Sequence, residues 1–416
     1  MNRADQAEET LTLLKENHDP SDNFLKNKIA VLDAGIAISR DDINNILSPL
    51  SDVKELPSNF DNGIIGNIRG YALSELSNYG LALQSLNDAR HYHKLNGSEF
   101  GVVYTDCFLG FIDLAKGNLQ KCYDRFGAYG SEAGKSIETY VAPVPKIMQG
   151  VVLYEWNELD KALKLLKANL PLIEQVGHIK LLTLGYITLA KIYGDKNDHI
   201  SASRYFDYIY TLGESRGIPY IRLKSLVESE RVRYLIGNRR VNEAIDISIP
   251  MDIDMEVSSP VIPEGWERIA CLNLLIWSRL QIASGMAQRS LPVLSQLEKL
   301  ADKVNRYKRV IECKILQAIA LLKIDERNSA EKYLIEALRL SCPNQAIRTY
   351  FDEESEISEL LAHIISRPDI NSDRDLHTYI EKLYEALSHN SSEELILKNT
   401  SDTSNLVEPL SQREID

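Results

Sequence analysis

The chain has 416 residues, 44% of them hydrophobic and 26% charged, with a formal net charge of −13. That length exceeds what one compact core fills, so the chain must divide into several units or stack as a repeat array. The acidic excess argues against this segment gripping nucleic acid by itself.

Residues 1–20 carry acidic charges and no apolar run, which excludes a secretory signal. No window reaches the ~18 uninterrupted apolar residues of a membrane span. A short amphipathic pattern at Leu11, Leu13 and Leu14 stops at Asp19-Pro20. Helical spacing resumes at Phe24, Leu25, Ile29 and Leu32, then at Ile43, Ile46 and Leu47, and ends at Pro49. Residues 1–60 therefore read as N-terminal helices leading into a larger array.

Residues 61–345 repeat. Gly70, Gly110, Gly150 and Ala190 fall 40 residues apart, and the ladder continues at Val232, Ser278 and Ala318 with intervals of 42, 46 and 40. Twelve residues after each rung stands a small side chain: Ala82, Cys122, Ala162, Ala202, Ala244, Ser290 and Ala330. Four residues further come Leu86, Phe126, Leu166, Phe206, Ser248, Leu294 and Leu334, large and apolar except Ser248. Seven residues after each rung are Ser77, Gly117, Asn157, Asn197, Arg239, Gly285 and Asp325, mostly types that tolerate the left-handed backbone ending a helix.

One unit explains these columns. Two antiparallel helices approach closely only where small side chains meet, and a large residue one turn later fills the groove toward the next pair. A period of about 40 fits HEAT or armadillo repeats in length, but the small and large columns favour a tetratricopeptide-like pattern with longer helices or loops. The expected fold is all-α, a right-handed superhelix of about eight antiparallel helix pairs. The long interval is caused by residues 249–264, whose three prolines and four acidic residues cannot continue a helix. They read as a connecting loop or as a flap over the solenoid face.

Catalytic patterns are missing. The stretch from Tyr129 to Ser136 ends in Gly-Lys-Ser but lacks the first glycine of a phosphate loop and a strand before it, so it reads as an inter-repeat turn. His91 and His93 sit two apart on a helix and do not face each other. The five cysteines are far apart, as suits reduced core thiols of a cytoplasmic protein. Asp352-Glu353-Glu354 and Glu393-Glu394 read as solvated helix ends. No nucleophile stands with its base, so the chain is not expected to be an enzyme and needs no cofactor.

The functional surface is then the concave side, lined by the first helix of each pair. Spacing from the ladder places Asn67, Tyr71, Tyr104, Tyr154, Glu155, Lys191, Ser229, Arg233 and Arg279 on it. These groups suit a polar small molecule or a protein partner in the groove. Beyond the repeats, residues 346–388 read as capping helices and residues 389–416 as a linker into a truncated helix. Ser411 and Glu414 have capping-box spacing with Leu410 and Ile415 placed as a staple, a helix start with no helix behind it.

The words from Leu153 through Tyr154-Glu155-Trp156-Asn157 to Ala162 resemble the helical region of the large, MalT-like, ATP-dependent LuxR-type transcriptional activators. Asn305-Arg306 through Ile311-Glu312 to Ala318 is similar to that family's penultimate repeat. Arg348-Thr349-Tyr350-Phe351-Asp352-Glu353 resembles a later element, and Leu410 to Ile415 resembles the opening of its LuxR-type helix-turn-helix, so that residues 389–416 would be a linker into a truncated copy of that DNA-binding domain. The resemblance implies a parent with an ATP-binding switch module before this segment and a DNA-binding domain after it. ATP, DNA and self-association would belong to that parent, and the central superhelix would receive an inducer whose identity varies.

Overall fold

The computed structural model describes residues 3–403 apart from 20, 41, 54–55, 128, 130–140, 176 and 354–356. Every regular element among the described residues is a helix, and none is long and apolar enough to cross a membrane. The chain forms two compact units, Met1–Asp352 and Glu353–Asp416.

The first unit begins with α1 (Arg3–Asn17) packed on α2 (Asn23–Ser39), then the short α3 (Ile43–Ile46). Seven helix pairs follow. They are α4 (Asn59–Glu75) with α5 (Tyr79–Leu95), α6 (Glu99–Ala115) with α7 (Leu119–Gly127), and α8 (Pro143–Glu155) with α9 (Leu159–Ile173). Next come α10 (Ile179–Asp195) with α11 (His199–Ser215), and α12 (Tyr220–Gly237) with α13 (Val241–Ser248). The last pairs are α14 (Arg268–Ala283) with α15 (Ala287–Lys303), and α16 (Tyr307–Lys323) with α17 (Arg327–Ser341). This is the expected all-α, tetratricopeptide-like superhelix.

The repeat columns have a direct structural meaning. All seven residues from Ser77 to Asp325 in the turn column adopt positive φ, including Arg239 at 60°. Each is followed by a residue whose N–H donates to the carbonyl five positions back, as Glu158 does to Leu153, which closes the first helix and aims the second. The small and large columns of the second helices are buried throughout, with Ser248 buried in place of an apolar residue. At the α8–α9 crossing a Cβ on Gly150 would lie 2.9 Å from Cγ and Cδ2 of Leu166. A side chain there would push the helices apart.

Residues 249–264 are tied to the framework. Lys224 donates to Pro250 O, Trp277 Nε1 to Asp254 O at 3.2 Å and Gln281 Nε2 to Met255 O at 2.8 Å. After α17 a single 3-10 turn (Cys342–Asn344) and Gln345 at φ 52° redirect the chain into α18 (Arg348–Phe351). Cys107, Cys122, Cys271 and Cys313 are buried free thiols, and Cys342 is partly exposed.

The second unit contains α19 (Ile357–Ile365), α20 (Pro368–Asn371) and α21 (Arg374–Thr403), with Leu361, Ile364, Ile380 and Leu383 buried. Residues 389–403, whose composition reads as a linker, continue α21 as helix. The Gly-Lys-Ser turn and the motif from Leu410 to Ile415 lie outside the described residues.

Candidate functional site

The first helices of all seven pairs contribute to the wall of one cavity of about 160 Å³, from Glu75 at the end of α4 to Lys308 and Arg309 on α16. At about 10–15 Å³ for one water, that is room for roughly ten waters. On α10 the wall residues Lys180, Thr183, Leu184, Ile187, Thr188 and Lys191 recur every three or four positions, which is one helical face.

Residues 347–352 lie against the same concave side. The N–H of Ile347 donates to Glu155 O at 2.8 Å, and Trp156 Nε1 donates to Asn344 O at 2.9 Å. Arg348 reaches Asp195 at 3.0 Å and Asp352 at 2.9 Å, with its guanidinium over the Tyr154 and Phe351 rings. Thr349 Oγ1 donates to Glu155 at 3.1 Å, and its carbonyl accepts from Arg233 at 2.7 Å. Asp352 accepts from Tyr154 Oη at 2.7 Å and pairs with Lys191 at 2.8 Å.

Asp352 therefore departs from the expectation of a solvated helix end. Its side chain is only 7% exposed because the groove supplies it with Lys191, Arg348 and Tyr154. Burial would raise its pKa, but Lys191, Arg348 and Arg233 outweigh burial and hold it well below the usual carboxylate range. The same balance keeps Glu155 ionised beside Lys308, at 2.5 Å.

The nine sequence-derived groove residues separate into groups. Tyr154, Glu155 and Lys191 line the cavity. These three and Arg233 meet residues 347–352. Asn67 lies instead in a buried polar contact, 3.2 Å from His93 Nε2 and accepting from Thr105 at 2.7 Å. Tyr71 and Tyr104 pack in an aromatic cluster with Phe108, which also touches His178. Arg279 pairs with buried Glu312, and Ser229 is buried on α12. None of these five lines the cavity.

Sequence reading missed Glu75, Lys180, Thr183, Glu230 and the charged run Arg306-Lys308-Arg309. The i, i+3, i+4 recurrence from Lys180 to Lys191 was the available signal for α10. Arg306 stood out only as part of a repeat motif, and nothing local marked it as a cavity residue; its Nε reaches Ser77 Oγ across the superhelix at 2.7 Å.

Two buried groups set an acid limit on stability. Burial first, and then Lys180, depress the His178 pKa to about 3, and burial is outweighed by Arg309 and Arg279 to bring Glu312 to about 2. The unfolded chain takes up the His178 proton below about pH 6.5 while the folded chain resists it, so stability falls as pH drops through this window. By pH 5 the His178 contribution is a loss of about 2 kcal/mol. His178→Asn keeps an acceptor for the Lys180 N–H that His178 Nδ1 now caps at 3.2 Å. Urea midpoints at pH 7 and pH 5 should differ less in that variant than in the parent; an equal difference would assign the acid loss elsewhere.

Residues 67–367 match the MalT-like TPR region family. No curated protein sequence matches the chain significantly. The crystal structure of a Rap protein complexed with competence and sporulation factor shares the fold, with a TM-score of 0.55 at 12% identity over 82% of this chain and 93% of that one. The chain is a helical-repeat domain of the interaction or sensing kind. With the match running through all seven helix pairs, the chain belongs to the MalT-like TPR region family.

Proposed function

We propose that this chain is the effector-sensing segment of a LuxR-type transcriptional activator, and that its effector is a small molecule bound in the concave cavity. The observation that carries the reading is the convergence of Tyr154, Glu155 and Lys191 on both the cavity wall and residues 347–352. A molecule that prefers one arrangement of that segment shifts the balance between closed and released forms by its differential affinity. In the cytoplasmic parent, release would free the switch module to bind ATP, self-associate and present its DNA-binding ends. By linkage, effector and ATP then strengthen each other's binding equally.

The test is thermal unfolding of the chain against a metabolite library, since a ligand at one hundred times its Kd adds about 2.7 kcal/mol. A stabilising compound should lose its effect in Lys191→Met and Tyr154→Phe. In the full-length parent the effector Kd should tighten when ATP is present; an unchanged Kd would remove the coupling mechanism. A second reading is a protein-interaction scaffold without a small-molecule ligand. Its support is the Rap complex with competence and sporulation factor, a protein of the same fold. A stable purified partner together with an unresponsive metabolite library would favour it.

A further inference from the structure

The cavity wall is electrostatically unlike the rest of the chain. Six cations line it: Lys180, Lys191, Arg268, Arg306, Lys308 and Arg309. Only three carboxylates oppose them, Glu75, Glu155 and Glu230, although the whole chain carries a formal charge of −13.

The excess is concentrated at one end. Glu75 is shared between Lys180 and Arg268, the latter at 2.9 Å. Beside them Arg306 donates to Ser77 Oγ and to the carbonyls of Ser74 and Glu75, and lies over the Trp266 ring at 5.4 Å. Among the described residues no carboxylate forms an ion pair with Arg306. Three cations thus surround one carboxylate. Two donors on the same wall, Thr183 Oγ1 and Trp266 Nε1, are buried without a hydrogen-bond partner, and Thr183 is 0% exposed. An indole N–H donates only, so what completes it must accept. Apart from Tyr154 and Thr188 the rest of the wall is apolar, with Phe111, Ile187, Leu226 and Leu272.

We propose that the cavity binds a small organic anion, a carboxylate or phosphate ester, with its charged group between Lys180, Arg268 and Arg306 and its body against the apolar wall. An anion there relieves the cationic surplus and accepts from the buried indole, and hydrogen bonds between charged groups are stronger than neutral ones. This assignment rests on the sensing reading and specifies its ligand class.

The experiment is calorimetric titration of the full chain at constant ionic strength with glucose 6-phosphate, glycerol 3-phosphate, citrate and inorganic phosphate, and with glucose and glycerol as neutral counterparts. At least one organic anion should bind, and a phosphate ester that binds should do so at least about tenfold more tightly than its neutral counterpart. Arg306→Gln should weaken that anion about tenfold or more. Trp266→Phe, which keeps the ring and removes the N–H, should weaken it as well and decides the matter if Arg306→Gln fails to fold by circular dichroism. Equal binding of anion and neutral counterpart overturns the assignment. So does unchanged anion binding in the folded variants, or no binding by any anion. If a neutral metabolite stabilises the chain through Lys191 and Tyr154 while the anions do not bind, the sensing reading stands and the anion assignment alone falls.

Discussion

Arg348→Met is expected to lower the unfolding free energy by about 3–5 kcal/mol, the usual cost of removing one member of a buried ion network. Arg348 is 4% exposed and satisfies Asp195, Asp352 and the side-chain oxygen of Asn157. Methionine retains packing against Phe351 and Tyr154 but leaves Asp195 without this partner and Asp352 dependent on Lys191 and the Tyr154 hydroxyl. Urea unfolding followed by circular dichroism gives the magnitude. Tryptophan emission gives the location, because Trp156 Nε1 is bonded to the carbonyl of Asn344 in the same segment. A loss below about 1 kcal/mol would mean that apolar contacts hold residues 347–352 and that the ion network is incidental.

The second large effect concerns the helix crossing at Gly150. Leu166→Ala should cost about 2–5 kcal/mol, since Leu166 is fully buried and its removal leaves a cavity. Gly150→Ala alone gains about 1 kcal/mol of helix propensity but collides with Leu166, at a cost of about 1–3 kcal/mol. In the Leu166→Ala background the collision is gone, so the same substitution should stabilise. The coupling between the two sites should fall at about 0.5–3 kcal/mol in a double-mutant cycle. If Gly150→Ala were equally favourable in both backgrounds, the small and large columns would not be in contact.

The repeat architecture was legible because it depends on short-range geometry. A left-handed residue must end each first helix, and that constraint is strong enough to bend even Arg239 into the column. Small residues twelve positions beyond each rung follow from the crossing distance of two helices. Ser248 broke the apolar column in sequence, yet it sits buried with its hydroxyl donating to Ile245 O at 2.7 Å.

The site was legible only by face. Spacing located Tyr154, Glu155 and Lys191 on the concave side, but it gave the same direction to Asn67, Tyr71 and Tyr104, which pack between neighbouring helices. Helical phase does not distinguish a side chain that reaches the cavity from one stopped by the adjacent repeat. Residues 347–352 were hidden for a different reason. Their partners Tyr154 and Asp195 lie 198 and 153 positions earlier, and no local pattern encodes such a meeting.

A stack of repeats ordinarily folds like a zipper, each unit needing only the one beside it and the ends fraying first. Here Arg306 is joined to Ser77 across 229 positions, and that long loop costs about 3 kcal/mol more to close than a hairpin of a dozen residues. The Arg306–Ser77 contact therefore needs the final repeats in place, and fraying at the α17 end would loosen the residues that grip α4 and α8.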